Sequence, residues 1–422
     1  MYYWQQYLSK LFTRNEAGKR QTRIYLDYAA ATPVTESVRA AMQSFFTEHY
    51  GNPSAIHQEG QAARAAVDAA REQVASLLGI RREGVIFTAG GTESNNLILL
   101  SYLKTLHQQG RAYEDMEVLT TAIEHPATTQ ALAEAATWGV SVRCVPVTET
   151  GVCTAQALTA CLTPQTVIVS IAHINSETGT IQPTRRLARA IREYARLHHS
   201  SPARLHIDAA QSPLWCSCRL DSLGADMLSL DAGKCGGPKG VGVVALVSPD
   251  ILGQSISYGG AQERGLRPGT EAVPLIVGCA QALDEAQTHH KARSARVAPI
   301  RDAVITYVTT RLPGAHINGP QGAQRVANNV NISLPGFDTE FAAITLDTHG
   351  YAVSTKSACS SSDSAASSVV YAISQDTARA RSTLRFTCPP TINEADFLAA
   401  VDVLAEHVAA MHPYQTASPG EN

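Results

Sequence analysis

From residue 24 to about 245, short β-branched runs alternate with longer segments whose apolar residues recur at helical spacing. GVIFT, EVLTTA, SVRCVPV, TVIVSIAH, RLHID, DMLSL and VGVVALV read as strands. QAARAAVDAAREQVASLL and TRRLARAIREYARL read as amphipathic helices between them. Strands and helices in alternation predict an α/β fold, a mostly parallel sheet covered on both faces. Beyond residue 272 the texture changes. A long helical stretch from Val273 to about Arg311 precedes a strand at NNVNISL, a helix at DTEFAAITLDT, a strand at YAVST, a polar loop and a strand at TLRFT. That order predicts a second, smaller α+β layer.

Composition narrows the function classes. A chain of 422 residues with a formal net charge of −3 gives no electrostatic case for nucleic acid or a membrane surface. No apolar run is long enough to span a bilayer. Nine cysteines form no even framework of a secreted scaffold, so reduced thiols in a cytoplasmic setting are expected. Residues 1–22 place Trp4, Leu8 and Leu11 at helical spacing beside Lys10, Arg14, Lys19 and Arg20, which reads as a frayed or docked amphipathic helix. The closing HPYQTASPGEN reads as a loose tail.

Several familiar motifs fail on context. GVGVVA lies inside a β-branched run rather than at a strand-to-helix turn, so it is no dinucleotide fingerprint. AGKC resembles the end of a P-loop, but Leu228 stands at the first glycine position and Cys235 where a hydroxyl should hold magnesium. Cys216 and Cys218 have no second pair at zinc spacing, so no metal site is expected.

Four positions survive. FTAGGTESNN runs from a strand into Gly90, Gly91 and Thr92 at a helix start, which reads equally as a phosphate cradle or as a plain cap with Thr92 and Glu93. AIEHPAT ends a strand at His125, RLHIDAAQ ends one at Asp208 with Gln211 following, and SLDAGKCGGPKG carries Lys234 and Lys239. The carboxyl ends of parallel strands line one crevice. A phosphate cradle, a flat aromatic partner, a carboxylate and an amine are together what pyridoxal 5′-phosphate requires.

With GNPSAIHQEG, GGTESNN, EHPAT, HINSETG, HIDAAQ, GGPKG, ERGLRPGT, SAC and LRFT in this order, the chain resembles the cysteine desulfurases, NifS- and IscS-like enzymes of the class V aminotransferase type. The resemblance runs from residue 25 to about 410. It implies the fold type I architecture of pyridoxal-phosphate enzymes. Residues 35–272 would form the large cofactor-binding domain and 23–34 plus 273–410 the small one, with an extension at 1–22 and a tail at 411–422. It further implies that Lys234 bonds the cofactor and moves protons on the substrate carbon, and that Lys239 is a turn residue. Gly91 and Thr92 would hold the phosphate, Asp208 the pyridine nitrogen and Gln211 the ring hydroxyl oxygen. His125 would stack on the ring and act as a second acid or base. Arg385 would clamp the substrate carboxylate, near Ser176. Thr270 would reach the phosphate of a neighbouring subunit, implying a homodimer. Cys359 would take sulfur from L-cysteine as a persulfide, release L-alanine and hand the sulfur to an acceptor such as an iron–sulfur scaffold or a thiolation factor. Lys356 either favours the Cys359 thiolate or is a solvated loop charge.

Three positions depart from that pattern. Asp231 and Gly233 stand where the family usually has a serine and a histidine before the lysine, and Ser176 where it commonly has asparagine. A carboxylate against a phosphate repels by about 4 kcal/mol per unit charge pair at 4 Å and an effective dielectric of 20. Asp231 is therefore expected to turn away, to pair with a cation or to meet the phosphate through its own proton. Two other readings stay open: a selenocysteine lyase or related class V lyase, and a degenerate non-catalytic scaffold in a sulfur-transfer complex.

Overall fold

The computed structural model describes residues 23–355 and 366–415. The expectations for the N-terminal helix, Lys356 and Cys359 lie outside the described residues. The seven strands read from residues 84–247 form one sheet: β2 (Val85–Thr88), β3 (Glu117–Thr121), β4 (Ser141–Val145), β5 (Thr166–Ala172), β6 (Arg204–Asp208), β7 (Met227–Asp231) and β8 (Gly242–Leu246). Their order is β2-β8-β7-β6-β5-β3-β4. β8 pairs antiparallel with both β2 and β7, while the other pairings are parallel. Since β8 alone is reversed, β2 points the same way as β7. The carboxyl ends of β2, β3, β5, β6 and β7 therefore share one edge.

Alternation along each strand divides the core. Phe87, Leu119, Val169, Leu228 and Val243 point into one apolar cluster, and their neighbours Ile86, Val118, Ile168, Met227 and Val244 into another, as a pleat with both faces buried requires. The second cluster is covered by helices Gly91–Gln108 and Pro126–Thr137. Leu97, Ile98, Leu99 and Leu103 are at most 1% exposed, each contributing roughly 1.5–3 kcal/mol by burial. The helix that starts at Gly91 is thus anchored along its length.

A three-stranded antiparallel sheet follows, β12 (Thr383–Thr387), β10 (Asn329–Ser333) and β9 (His316–Ile317), and β1 (Ile24–Tyr25) pairs with β11 (Tyr351–Ala352). YAVST is a strand only over its first two residues, with one further bridge from Ser354 to Arg385. The final helix, Glu394–Gln415, continues past the start of the expected tail. Phe397, Ala400, Val401 and Leu404 keep a buried stripe on it. No helix among the described residues is long and apolar enough to cross a membrane. The eight described cysteines are free thiols.

Candidate active site at the carboxyl edge of the sheet

Asp208 closes β6, and its surroundings follow from register. Ser229 on β7 is its cross-strand partner, while His206, two residues earlier on the same face, sits opposite Ser170 of β5. These residues form one buried chain of contacts. Ser170 Oγ and His206 Nδ1 are 2.9 Å apart, His206 Nε2 and Ser229 Oγ 3.3 Å. The Ser229 hydroxyl donates to Asn95 Oδ1, and Asn95 Nδ2 donates to Asp208 Oδ2 at 2.8 Å. The Ala210 amide donates to Asp208 Oδ1 at 3.0 Å. Burial pulls the His206 pKa down to about 4, against a smaller opposing pull from Asp208, so the relay beneath the carboxylate is uncharged.

Lys234 ends the short turn Ala232–Lys234 after β7. It is half-buried, and among the described residues its ammonium has neither a hydrogen bond nor an ion pair. Lys239 is exposed, but its Nζ donates to the Thr32 carbonyl at 2.5 Å. Of the two lysines, only Lys234 has an uncommitted amine. His125 caps helix Pro126–Thr137 by accepting the Ala127 amide at Nδ1, 3.0 Å away. A neutral ring with that bond carries its proton on Nε2. Burial and the charge of Lys234 both lower the His125 pKa, against opposing pulls from Asp208 and Asp231. Beside it, the Glu124 carboxyl accepts from Thr121 Oγ1 at 2.6 Å and the Ala172 amide at 2.7 Å, and burial pushes its pKa up to about 8. Gln211 Nε2 donates to the Ala29 carbonyl at 2.8 Å.

The turn into helix Gly91–Gln108 depends on glycine at two points. Gly90 has φ 145°, a conformation that residues with a Cβ rarely adopt. A Cβ on Gly242 would lie 2.6–2.7 Å from Gly90 backbone atoms, so glycine at the start of β8 lets the turn close against it. Glu93 accepts from the Ala89 amide, as the cap reading of this stretch has it. The Thr92 hydroxyl is exposed and unpartnered among the described residues. The Gly91 amide donates to Asp231 Oδ2 at 3.2 Å, and the Gly233 amide to Asp231 Oδ1 at 2.9 Å. Asp231 thus points into the turn beside Gly91 and, among the described residues, forms no ion pair. Its carboxylate faces the helix N-terminus because that end offers a backbone donor.

Arg385 lies on β12 with its side chain 2% exposed. One terminal nitrogen donates to Asp27 Oδ1 at 2.7 Å and the other to the Ser176 carbonyl at 3.0 Å. Its Nε is buried without a hydrogen-bond partner among the described residues. Ser354 brackets the Arg385 backbone with two hydrogen bonds, at 2.7 and 3.1 Å, and Ser367 Oγ donates to Glu177 at 2.5 Å. The described chain on both sides of the segment containing Cys359 is thus fastened beside Arg385 and Ser176. Thr270 is exposed ahead of helix Val273–Arg311, with no hydrogen bond to this group of residues.

The class V aminotransferase model matches residues 24–389. The cysteine desulfurase IscS of Dictyoglomus turgidum is 34% identical over 395 residues, 93% of this chain and 97% of that protein. The chain belongs to the cysteine desulfurase family. A further cysteine desulfurase, from Bradyrhizobium diazoefficiens, is 35% identical over 96% of this chain and 99% of its own length. Among solved structures, a NifS-like protein is similar with a TM-score of 0.83 and 30% identity, over 92% of this chain and 100% of that one. SspA in complex with cysteine is similar with a TM-score of 0.71 and 30% identity, over 87% and 99%.

Pyridoxal phosphate can be tested against these residues. The chemistry at the ring end fits: an uncommitted amine at Lys234, a carboxylate held by two donors at Asp208 and a neutral imidazole at His125. At the phosphate end Thr92 is available, while the Gly91 amide already serves Asp231. Motif reading passed over Asp27, Asn95, His206 and Ser229 as site residues. Asn95 stands inside the marker stretch GGTESNN, Asp27 lies two residues past the start of the resemblance at residue 25, and His206 precedes Asp208 by two in a strand. Same-face spacing on β6 was the available signal.

Proposed function

We propose that this protein is a pyridoxal-phosphate-dependent cysteine desulfurase that converts L-cysteine to L-alanine and leaves a persulfide on Cys359. The observation that carries the reading is the meeting of the uncommitted Lys234 amine with the Asp208 carboxylate and the neutral His125 ring at one sheet edge. The cofactor, when bound, supplies an electron sink for the carbon of the substrate. Asp208 would keep the pyridine nitrogen protonated, Gln211 would face the ring hydroxyl oxygen through Oε1, and Thr92 would reach the phosphate. The unpaired Arg385 Nε supports a bond to the substrate carboxylate, beside Ser176. Lys234 Nζ would carry protons to and from the substrate carbon, with His125 Nε2 as a second donor. The Cys359 thiolate would attack the substrate sulfur, so that the carbon–sulfur bond breaks, a sulfur–sulfur bond forms, and the carbon is reprotonated to alanine.

The same reading takes residues 35–272 as the large domain and 23–34 with 273–410 as the small one. The β1–β11 pairing and the Asp27–Arg385 ion pair support placing residues 23–34 with the second group. A homodimer in which Thr270 reaches the other subunit's phosphate, a protein acceptor for the sulfur and a cytoplasmic location belong to this proposal, and the free thiols agree with a reducing compartment. The test is alanine release from L-cysteine by wild type and Cys359→Ala, with mass analysis of the peptide containing residue 359. Loss of turnover in the variant, with one added sulfur on wild-type Cys359, is expected. Undiminished turnover would move the protein to direct elimination or selenocysteine chemistry. A wild type that neither binds cofactor nor turns over would leave the scaffold reading.

A further inference from the structure

We propose that Asp231 is a specificity-determining residue of the phosphate cradle, admitting the cofactor phosphate only together with one extra proton. This rests on the pyridoxal-phosphate reading above and deepens it. Asp231 occupies the place of a hydroxyl donor, yet its two oxygens both act as acceptors, one from Gly91 at the helix N-terminus and one from Gly233 in its own turn. A phosphate oxygen brought to the Gly91 amide would lie against the carboxylate. Two acceptor oxygens at contact distance form a hydrogen bond only when a proton lies between them.

The neighbouring departure from the family pattern is part of the same device. A Cβ on Gly233 would lie 3.2 Å from Asp231 Oδ1 and 3.4 Å from Lys239 Cγ. The histidine common at position 233 would crowd the carboxylate, so glycine there and aspartate at 231 form one unit. Rotating Asp231 out of the cradle would break two backbone hydrogen bonds at once. No cation answers its charge: among the described residues Asp231 forms no ion pair, and Lys239 Nζ is committed to Thr32.

The titratable groups facing Asp231 are few. His125 lies on the connection after β3, and its titration is influenced by Asp231. Lys234 and Cys235 belong to the same turn, and Cys279 comes from helix Val273–Arg311. Both thiols are buried and pushed upward, in part by Asp231. Glu93, in the first turn of helix Gly91–Gln108, is tied to Ala89 and Arg267, and Asp208 closes β6 two residues before Ala210, whose Cβ comes within 3.8 Å of a Cβ built on Gly91. Lys234 must lose a proton to bond the aldehyde, which gives cofactor binding its own pH dependence. That dependence is shared by any variant at position 231 and cancels in a ratio.

The experiment titrates the full chain, freed of cofactor by hydroxylamine dialysis, with pyridoxal 5′-phosphate from pH 6 to 8.5, comparing wild type with Asp231→Asn. An asparagine keeps an acceptor for the turn and adds a donor for phosphate. Phosphate esters lose their second proton near pH 6, so above it the wild-type affinity relative to the variant should fall about tenfold per pH unit, to about 100-fold at pH 8. Pyridoxal, which lacks the phosphate, should show a ratio independent of pH. On wild type alone, calorimetry at pH 8 in buffers of different ionisation enthalpy should read one proton taken up beyond that for pyridoxal, a readout that survives if the variant fails to fold. A flat ratio with no excess proton would overturn the proposal and leave Asp231 as a helix cap that swings aside. Absence of a borohydride-fixed pyridoxyl adduct on Lys234 in either protein would overturn the cofactor reading, and this proposal with it.

Discussion

Replacing Asp27 with asparagine isolates the contact that holds Arg385. The guanidinium is 2% exposed and its partner 17%, at 2.7 Å, while its Nε is unpartnered and its other terminal nitrogen bonds only the Ser176 carbonyl. Removing the charge leaves a buried cation with a neutral acceptor. Breaking one side of a buried pair costs about 3–5 kcal/mol. Asparagine retains an oxygen toward Arg385, and the partial exposure of Asp27 admits water, so about 3 kcal/mol is expected for Asp27→Asn and about 5 kcal/mol for Asp27→Ala. Urea unfolding followed by circular dichroism measures this as a lower midpoint at constant slope. The double variant Asp27→Asn/Arg385→Gln should be less destabilised than the sum of its parts, because no unpaired cation remains. A positioning role adds a kinetic signature. With the guanidinium no longer braced, KM for L-cysteine should rise about tenfold, equivalent to about 1.4 kcal/mol, with kcat changed less. An unfolding midpoint within 0.5 kcal/mol of wild type for both variants, on the surface-ion-pair scale, would refute the claim that Arg385 depends on this carboxylate.

Glu124 yields a pH test. Its carboxyl is raised from 4.5 to about 8, chiefly by burial, so its contribution to stability is complete below about pH 4.5 and is lost as pH climbs through about 8. At about 1.36 kcal/mol per pH unit across that window, the full loss is at most about 5 kcal/mol. Glu124→Gln should match wild type near pH 4.5 and exceed it at pH 8 in urea midpoint, and an unchanged slope of stability against pH would contradict the cause given. Asn95→Ala strips one donor from Asp208 and leaves the Ser229 hydroxyl without its acceptor, at a stability cost of about 1–3 kcal/mol. Asn95→Asp places a second carboxylate against the first and should weaken pyridoxal-phosphate binding more than alanine does, which equilibrium titration by absorbance would check; equal affinities in the two variants would speak against it.

Much of the scaffold was legible because it rests on local repetition. Short β-branched runs marked all seven strands of the central sheet, and helical periodicity placed TRRLARAIREYARL at Thr184–Leu197 and the long helix at Val273–Arg311 without a boundary error. Once the strands were in hand, His125, Asp208 and Lys234 had to lie near one edge, since Asp208 closes a strand and the other two follow a strand end. The reversal of β8 was not legible: VGVVALV is equally apolar in either direction, and only pairing with β2 and β7 orients it.

What the chain determined by itself was which residues stand at the strand ends, because spacing along a strand and a helix is a one-dimensional property. The tertiary structure decided which of them face each other. Asp27 meets Arg385 across 358 positions, Asn95 meets Asp208 across 113, and Asp231 meets the Gly91 amide across 140. The last case shows the physical reason. Charge repulsion, read from sequence, argued for moving Asp231 away from an expected phosphate. In the folded chain the nearer partner is a backbone donor at a helix N-terminus, and the carboxylate goes to it.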